Sequence, residues 1–271
     1  MVLVGGVAAS ALYADSFVVT YDAAGVLTPD TATMCSSQIN AQCWIGQQAF
    51  LTSSAPIAGS AFPTYYSEGG LTGGINGTYS SGLVVNAANQ YGGAGGTDYF
   101  ADVSYSTSTG PGSYSLTLTT SGNVPGVNYF GLWFSALDLG NQLQFYDGST
   151  LEYTFGPAQF ISLVGSCSTA GGFCGNPSGI WQGYDGDQQY AFLNFYDFGG
   201  DITSIVFSEG SAGGDGAGFE SDNHTVGYMN PIALNGTIIS GVTPEPGTLL
   251  LLGSGLLGLA GVTRRRIGRS A

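Results

Sequence analysis

Short runs of aromatic and β-branched residues recur along most of the chain, and turn residues separate them. Between Asp15 and Gly241 no stretch has the periodicity of a convincing amphipathic helix. The spacing of the runs is typical of a β-sandwich. We therefore predict an all-β fold, a single antiparallel, jelly-roll-like β-sandwich over residues 15–241. The runs are SFVVTY, GLVVNA, DYFADVSYS, YSLTLTT, VNYFGLWFSAL, QLQFY, LEYTF, QFISLV, QYAFLNFY, ITSIVFS and HTVGYM.

The clearest local unit is the segment QLQFYDGSTLEYTF, residues 142–155. Asp147 and Gly148 supply turn chemistry that suits positive φ angles, so the two halves are predicted to form a β-hairpin. Alternation places one set of apolar residues on a single predicted face: Leu143, Phe145, Leu151, Tyr153 and Phe155.

Charge is distributed very unevenly along the chain. Its 271 residues include 18 Asp and Glu but only four Lys and Arg, all of them arginines: Arg264, Arg265, Arg266 and Arg269. The body before them cannot form a Lys or Arg salt bridge, and it cannot bind nucleic acid through such residues. With 46 glycines and 43% hydrophobic residues, the composition favours an extracellular all-β protein over a cytoplasmic enzyme.

Each end of the chain contains an apolar run. Residues 1–14 end in small residues and are predicted to be a secretory signal peptide; because the usual basic region is missing, we expect that it is truncated. A buried first strand is the alternative. Residues 247–263 carry no charge and would form a helix about 25 Å long, which is the short limit for spanning a bilayer. The four arginines would follow on the cytoplasmic side. A buried core helix is the alternative here.

A three-part pattern occupies residues 242–271. Pro244, Glu245 and Pro246 precede the Leu/Gly-rich run, and the arginines follow it. This order resembles the PEP-CTERM sorting signal. The alternative is an ordinary Pro-rich linker before a transmembrane anchor. The stretches VNYFGLWFSALDLGNQLQFYDG and GFESDNHTVGY also resemble the β-sandwich ectodomains of PEP-CTERM proteins.

The resemblance implies a Gram-negative host that makes extracellular polysaccharide. It also implies a processing partner, the membrane enzyme exosortase, which removes the tail during delivery. The arginines would then act as a stop-transfer anchor. The protein would pass from an inner-membrane-anchored intermediate to the cell surface or the extracellular space.

Four cysteines in an exported chain favour two disulfides, although three pairings are open. Proximity in the sequence favours Cys35–Cys43 and Cys167–Cys174. A zinc site of four cysteines is the alternative, but no C-x2-C knuckle is present.

The residue types that catalysis uses are scarce. His224 is the only histidine, no G-x-S-x-G elbow accompanies it, and a structural role is expected. No phosphate- or dinucleotide-binding motif occurs. A carboxylate pair, Glu152 with Glu209 or Glu220, would be needed for a glycosidase. We predict that the protein is not an enzyme and needs no cofactor.

Calcium is the one ion that the sequence favours. The turn YDGDQQ offers Asp185 and Asp187, and oxygen ligands of this kind suit a hard cation. Turns that are simply kept polar by Asp and Gly are the alternative. Further oxygen ligands for such a site are Asp215, Glu220, Asp222 and Asn223.

Two function classes fit these features. The first is a structural protein of the surface or matrix, associated with exopolysaccharide or biofilm. The second is a carbohydrate-binding module in which Trp44, Trp133 or Trp181 stacks on sugar rings, although buried aromatics are more common. A glycosidase and an ice-binding protein rank below both, since no regular Thr-x-Thr ladder is visible.

Overall fold

Fifteen β-strands provide most of the regular secondary structure in the part of the chain that the computed structural model describes, which is residues 17–35, 41–56, 59–167, 172–214 and 216–240. Two short helices accompany them, α1 (Thr31–Cys35) and α2 (Ala158–Val164). The strands are β1 (Phe17–Tyr21), β2 (Gln42–Gln48), β3 (Ser60–Ala61), β4 (Thr64–Glu68), β5 (Gly73–Tyr79), β6 (Val84–Ala87), β7 (Tyr99–Asp102), β8 (Gly112–Gly122), β9 (Tyr129–Leu137), β10 (Asn141–Asp147), β11 (Thr150–Phe155), β12 (Gln189–Asp197), β13 (Ser204–Glu209), β14 (Glu220–Asn230) and β15 (Thr237–Ser240).

The strands form two sheets in which the paired strands are antiparallel. The first sheet has the order β15-β1-β12-β9-β14-β2-β4; β7 also pairs with β14, and β6 pairs with β7. The second sheet has the order β11-β10-β13-β8-β5-β3. The predicted all-β fold with antiparallel sheets is confirmed.

The main core lies between the two sheets and is built largely from aromatic rings. Phe195 of the first sheet lies 4.8 Å from Phe145 of the second, measured between ring centroids. Phe130 similarly meets Phe207 at 6.0 Å in an edge-to-face contact. Such pairs add to the free energy gained by burying the rings. The alternating apolar residues of both sheets therefore face each other.

The outer face of the first sheet is covered as well. Every residue of β9 and of β12 is buried, so apolar residues occupy both faces of these strands instead of one face alone. Tyr129 packs on this outer face with the Cys35–Cys43 region, and Trp133 packs there with Tyr190. Loops and α1 thus form a third layer over one sheet.

One predicted strand is wrong. The run QFISLV forms most of α2 instead of a strand. Pro157, at φ −71°, supplies the backbone geometry of a helix start, and Gly165, at φ +89°, ends the helix. Phe160 points into the core, where its ring lies 5.1 Å from that of Tyr21.

The predicted hairpin is present, with one side chain on the other face. Asp147 pairs with Thr150 around Gly148, whose φ is +56°. A register shift follows Phe145, so Tyr146 pairs with Leu151 instead of Glu152. This bulge turns Leu151 outward, and it is 47% exposed, which corrects its predicted place on the buried face.

Both predicted disulfides are confirmed. Cys35–Cys43 joins the end of α1 to β2 with a Cα–Cα distance of 5.6 Å, and Cys167–Cys174 closes the loop after α2 with a distance of 5.3 Å. The predicted signal peptide at residues 1–14 and the predicted tail at residues 242–271 lie outside the described residues. Within the described ranges, the helices are too short and not apolar enough to cross a bilayer.

Candidate functional site

One end of the sandwich contains a cavity of about 350 Å³, which we call the carboxyl pocket. Strand pairing brings its parts together, because the end of β9, the end of β13 and the start of β14 lie at the same end of the two sheets. Asp138 follows β9, Glu220 opens β14, and Gln188 precedes β12. The lining residues are Tyr91, Ala136, Asp138, Gln188, Gly213, Gly216, Ala217, Gly218 and Glu220.

Four carboxyl groups gather at this pocket. Asp138 and Glu220 line it, while Glu209 lies fully buried behind Gly213 and Asp102 lies beside Gly218. Asn141 donates to Oε2 of Glu209 at 2.6 Å. The other oxygen of Glu209, Oε1, and Oδ1 of Asp102 are buried without a hydrogen-bond partner.

Burial and mutual repulsion raise the pKa values of this group. Burial and then the charge of Asp138 raise the pKa of Glu209 to about 8. Burial and then the charge of Asp102 raise the pKa of Glu220 well above its ordinary value. Burial also raises the pKa of Asp138 and of Asp102. The body contains no Lys or Arg before Arg264 that could offset these charges.

The predicted calcium ligands fall into separate places. Asp185 and Asp187 share one turn, where Asp185 accepts a hydrogen bond from the Tyr190 hydroxyl at 2.8 Å, and burial raises the pKa of Asp185. Asp222 instead accepts the backbone N–H groups of Phe50, Ala94 and Asn223.

The remaining predicted calcium ligands do not join Asp185 and Asp187 in one site. The Asn223 amide donates to the carbonyl of Leu27 at 2.9 Å, Glu220 belongs to the carboxyl pocket, and Asp215 lies outside the described residues. Across the described ranges, no three His, Cys, Asp or Glu side chains are grouped so as to hold a metal ion. Calcium binding at Asp185 and Asp187 stays a prediction.

His224 lies in the core between the sheets. Its Nε2 is 2.9 Å from Ser221 Oγ, and its Nδ1 is 2.9 Å from the Tyr79 hydroxyl. Phe207 stacks on the imidazole with ring centroids 5.1 Å apart. Burial lowers the pKa of His224 to about 3, so the ring is neutral. This Ser–His pair is enclosed and has no path to a substrate, which agrees with the expected structural role.

The three tryptophans differ in exposure. Trp44 and Trp133 are buried, so their candidacy as sugar-stacking residues is wrong. Trp181 is half-buried in a segment that we call the aromatic loop, residues 179–184. There its ring meets that of Tyr184, which is 54% exposed, in an edge-to-face contact at 5.8 Å.

The aromatic loop is connected to the segment that contains Tyr91, one of the residues that line the carboxyl pocket. Gly95 donates its N–H to Ser178 Oγ at 3.2 Å, which joins the loop to the segment that contains Tyr91. Tyr190 adds a second link, since its hydroxyl lies 2.7 Å from the Gln90 carbonyl as well as close to Asp185. Sequence reasoning missed Tyr91 and Asp138, because neither stands in a motif.

The structure brings together neither of the proposed carboxylate pairs, because both contain Glu152 and that residue lies elsewhere. Glu209 and Glu220 meet at the carboxyl pocket, whereas Glu152 lies on β11 near the opposite end of β10. Glu209 pairs with Asn141 and Glu152 lies beside Tyr153, opposite Phe145, so the two glutamates are separated by roughly 15 Å along the sheet. Glu152 is therefore not part of this site.

Comparison with known proteins adds a finding about the tail. The family model of the PEP-CTERM protein-sorting motif matches residues 242–266, which include Pro244, Glu245, Pro246 and three of the four arginines. No curated protein and no solved structure matches the chain. The motif supports export and sorting by exosortase. The chain is therefore an all-β protein of two antiparallel sheets that carries the PEP-CTERM protein-sorting motif directly after its body.

Proposed function

We propose that exosortase delivers this protein to the cell surface or matrix and that its body is a non-enzymatic module associated with extracellular polysaccharide. The observation that carries the proposal is the sorting motif, which begins at residue 242, two positions after the end of β15 at Ser240. The body and the signal are thus joined almost without a linker.

The residues of the tail suit sorting at a membrane. Pro244 and Pro246 disfavour a regular helix and keep the chain extended next to the bilayer. Glu245 adds a charge that is costly to bury in lipid. The uncharged run at 247–263 then enters the membrane, and the arginines hold it there. Exosortase removes this tail once delivery is complete.

A triple substitution tests the sorting step. Replacing Pro244, Glu245 and Pro246 by Ala should leave a full-length, membrane-retained protein in the native host, because the segment that the enzyme grips is lost. Immunoblots of membrane and surface fractions report both size and location. As a control, Ala at Thr248 and Ser254 alters the same tail and should leave processing unchanged. Normal processing of the triple variant would contradict the proposal.

Exposed aromatic rings support association with polysaccharide. Tyr184 and the half-buried Trp181 form the aromatic loop, and Tyr91, which is 42% exposed, lies at the neighbouring pocket. Aromatic faces with nearby amide and hydroxyl groups are the usual means of holding a sugar ring. The acidic body would repel an anionic polymer unless a cation such as Ca²⁺ bridged the two.

A carbohydrate-binding module is the second candidate, and the adjacency of the aromatic loop and the carboxyl pocket favours it. Such a module holds a glycan without cleaving it. Release of reducing sugar that disappears in the Glu220→Gln variant would instead identify a glycosidase.

A further inference from the structure

The carboxyl pocket has a charge imbalance that sorting does not explain. Asp138 and Glu220 line it, Glu209 and Asp102 lie at its wall, and the body before Arg264 contains no Lys or Arg. Any positive charge that balances these carboxylates has to arrive from outside the fold, as a proton or as a bound cation.

Glycine residues bring the carboxyl oxygens close together at the pocket wall. A Cβ atom at Gly213 would lie 2.5 Å from both Asp138 Oδ1 and Glu209 Oε1, so these two oxygens flank the same glycine. A Cβ at Gly218 would lie 2.8 Å from Asp102 Oδ1 and would also clash with Glu220 Oε1. The glycines therefore let the carboxyls approach each other in two pairs, Asp138 with Glu209 and Asp102 with Glu220.

Two of these oxygens have no hydrogen-bond partner. Glu209 is 0% exposed, and its Oε1 faces the Asp138 carboxyl with no N–H or O–H of the described residues to bond it, while the Oδ1 atom of Asp102 is likewise buried without a hydrogen-bond partner. Leaving a buried acceptor unpaired typically costs about 1–3 kcal/mol, and more for a charged group. Buried carboxyl oxygens next to a cavity that lack a partner in the fold require either a proton held between carboxyls or a bound donor that carries positive charge.

The lining residues distinguish between kinds of cation. A metal ion is disfavoured, because the described residues hold no suitable group of three ligands. An ammonium group needs fewer acceptors and offers three N–H donors. Tyr91, which is 42% exposed, lines the pocket, Gln188 adds an amide, and the glycine wall allows close approach of a ring. The volume, about 350 Å³, lies within the usual range of small-molecule sites.

We propose that the carboxyl pocket binds a sugar that carries a free amino group, such as a residue of a deacetylated hexosamine polymer. The ammonium lies against Asp138 and Glu220, and the sugar ring stacks on Tyr91. This inference rests on the proposed association with polysaccharide and names the class of polymer. A neutral sugar would leave the carboxylates without a counter-charge, and an anionic sugar would be repelled.

A matched pair of ligands tests the inference. Glucosamine oligomers and their N-acetylated counterparts share the ring and differ in the charge of the amine. Calorimetric titration of the full-length protein in detergent, with a chelator present and at slightly acidic pH, should show at least about tenfold tighter binding of the amine form. A linear diamine, which has the charge without the ring, should also bind at least about tenfold more weakly.

Substitutions locate the site. Asp138→Asn and Glu220→Gln preserve shape and remove charge, so each should weaken binding of the glucosamine oligomer about tenfold or more. Tyr91→Ala should weaken it several-fold through loss of stacking, about 1 kcal/mol. Asp147→Asn, in the turn at the far end of β10, removes an equal charge and should leave binding unchanged.

The outcomes separate this inference from the proposed function. Equal binding of the acetylated oligomer or of the diamine would overturn it, and so would unchanged binding by all three pocket variants. If the protein binds native polysaccharide while those variants retain full affinity, the association stands and the pocket assignment fails. If no polysaccharide binds at all, both fail, while sorting of the tail is judged separately.

Discussion

At the scale of single residues, the body buries several carboxyl groups although it contains no Lys or Arg to pair with them. Asp222 accepts three backbone N–H groups, which partly offset the burial that raises its pKa to about 6. Glu209 shows the opposite case, with one oxygen bonded by Asn141 and the other facing Asp138. A proton shared between Glu209 and Asp138 lowers the repulsion between them. The folded state consequently holds protons that an unfolded chain would release.

This arrangement predicts that acid stabilises the protein. The pKa of Glu209 is raised from 4.5 to about 8, so the folded state is favoured below about pH 4.5 and loses stability as pH rises towards about 8. Glu209→Gln supplies an amide that can donate to Asp138 at any pH. We expect it to be more stable than the native protein at pH 8 by about 1–4 kcal/mol, with little difference at acidic pH.

Denaturant unfolding of both proteins at pH 5 and pH 8 measures the effect. Asp147→Asn is the control, because it removes a carboxyl from an exposed turn at the other end of β10. An equal change in both variants, or no pH dependence in the native protein, would show that Glu209 does not carry the effect.

At the scale of elements, most of the strand-like runs in the sequence do form strands, but the sequence does not show which elements pack against them. The runs VNYFGLWFSAL and QYAFLNFY do form β9 and β12. Both faces of these strands carry apolar residues because a third layer covers the first sheet. No local sequence pattern reveals that layer. The glycine-interrupted β5 (GGINGTY) was not predicted, because its alternation is weak and long-range pairing with β8 holds it in place.

The candidate site follows the same logic. The sequence identifies Glu220 as a candidate site residue. It does not show that Glu220, Asp138 and Tyr91 line one pocket, because that depends on the strand order of two sheets. The run QFISLV is ambiguous, since short apolar runs suit a strand or a helix, and here the flanking Pro157 and Gly165 decide for α2.

Helix α2 offers a matched pair of substitutions. Phe160 is fully buried against Tyr21 and Phe173, so Phe160→Ala should destabilise the protein by about 3–5 kcal/mol. Leu163 is 55% exposed, and Leu163→Ala should change stability by no more than about 0.5 kcal/mol. Denaturant midpoints compare the two variants with the native protein. Similar losses at both positions would mean that α2 does not pack as described.

At the scale of the whole molecule, the charge distribution yields a test of tail removal. Trypsin cleaves after Lys or Arg, because its specificity pocket carries a carboxylate. Within these 271 residues every such residue lies between Arg264 and Arg269, so trypsin can cut this sequence only in that segment. The protein delivered to the surface should keep its intact mass after trypsin treatment, even when denatured and reduced.

Mass spectrometry of the delivered protein before and after digestion makes the comparison. Chymotrypsin, which cuts at aromatic residues, should fragment the same denatured sample and so serves as the control. A loss of mass after trypsin would show that the arginines remain, and would contradict removal of the tail.

β15 lies at the edge of the first sheet, and only a few residues connect it to the uncharged run of the tail. From Ser240 to Gly247, where the uncharged run begins, there are seven residue steps, which span about 25 Å at most when fully extended. A copy that still holds its tail is therefore pressed against the bilayer and can search for partners only in two dimensions. Cutting the tail converts this search into three-dimensional diffusion. The same cut thus decides both where the body is and how much of its surroundings it can sample.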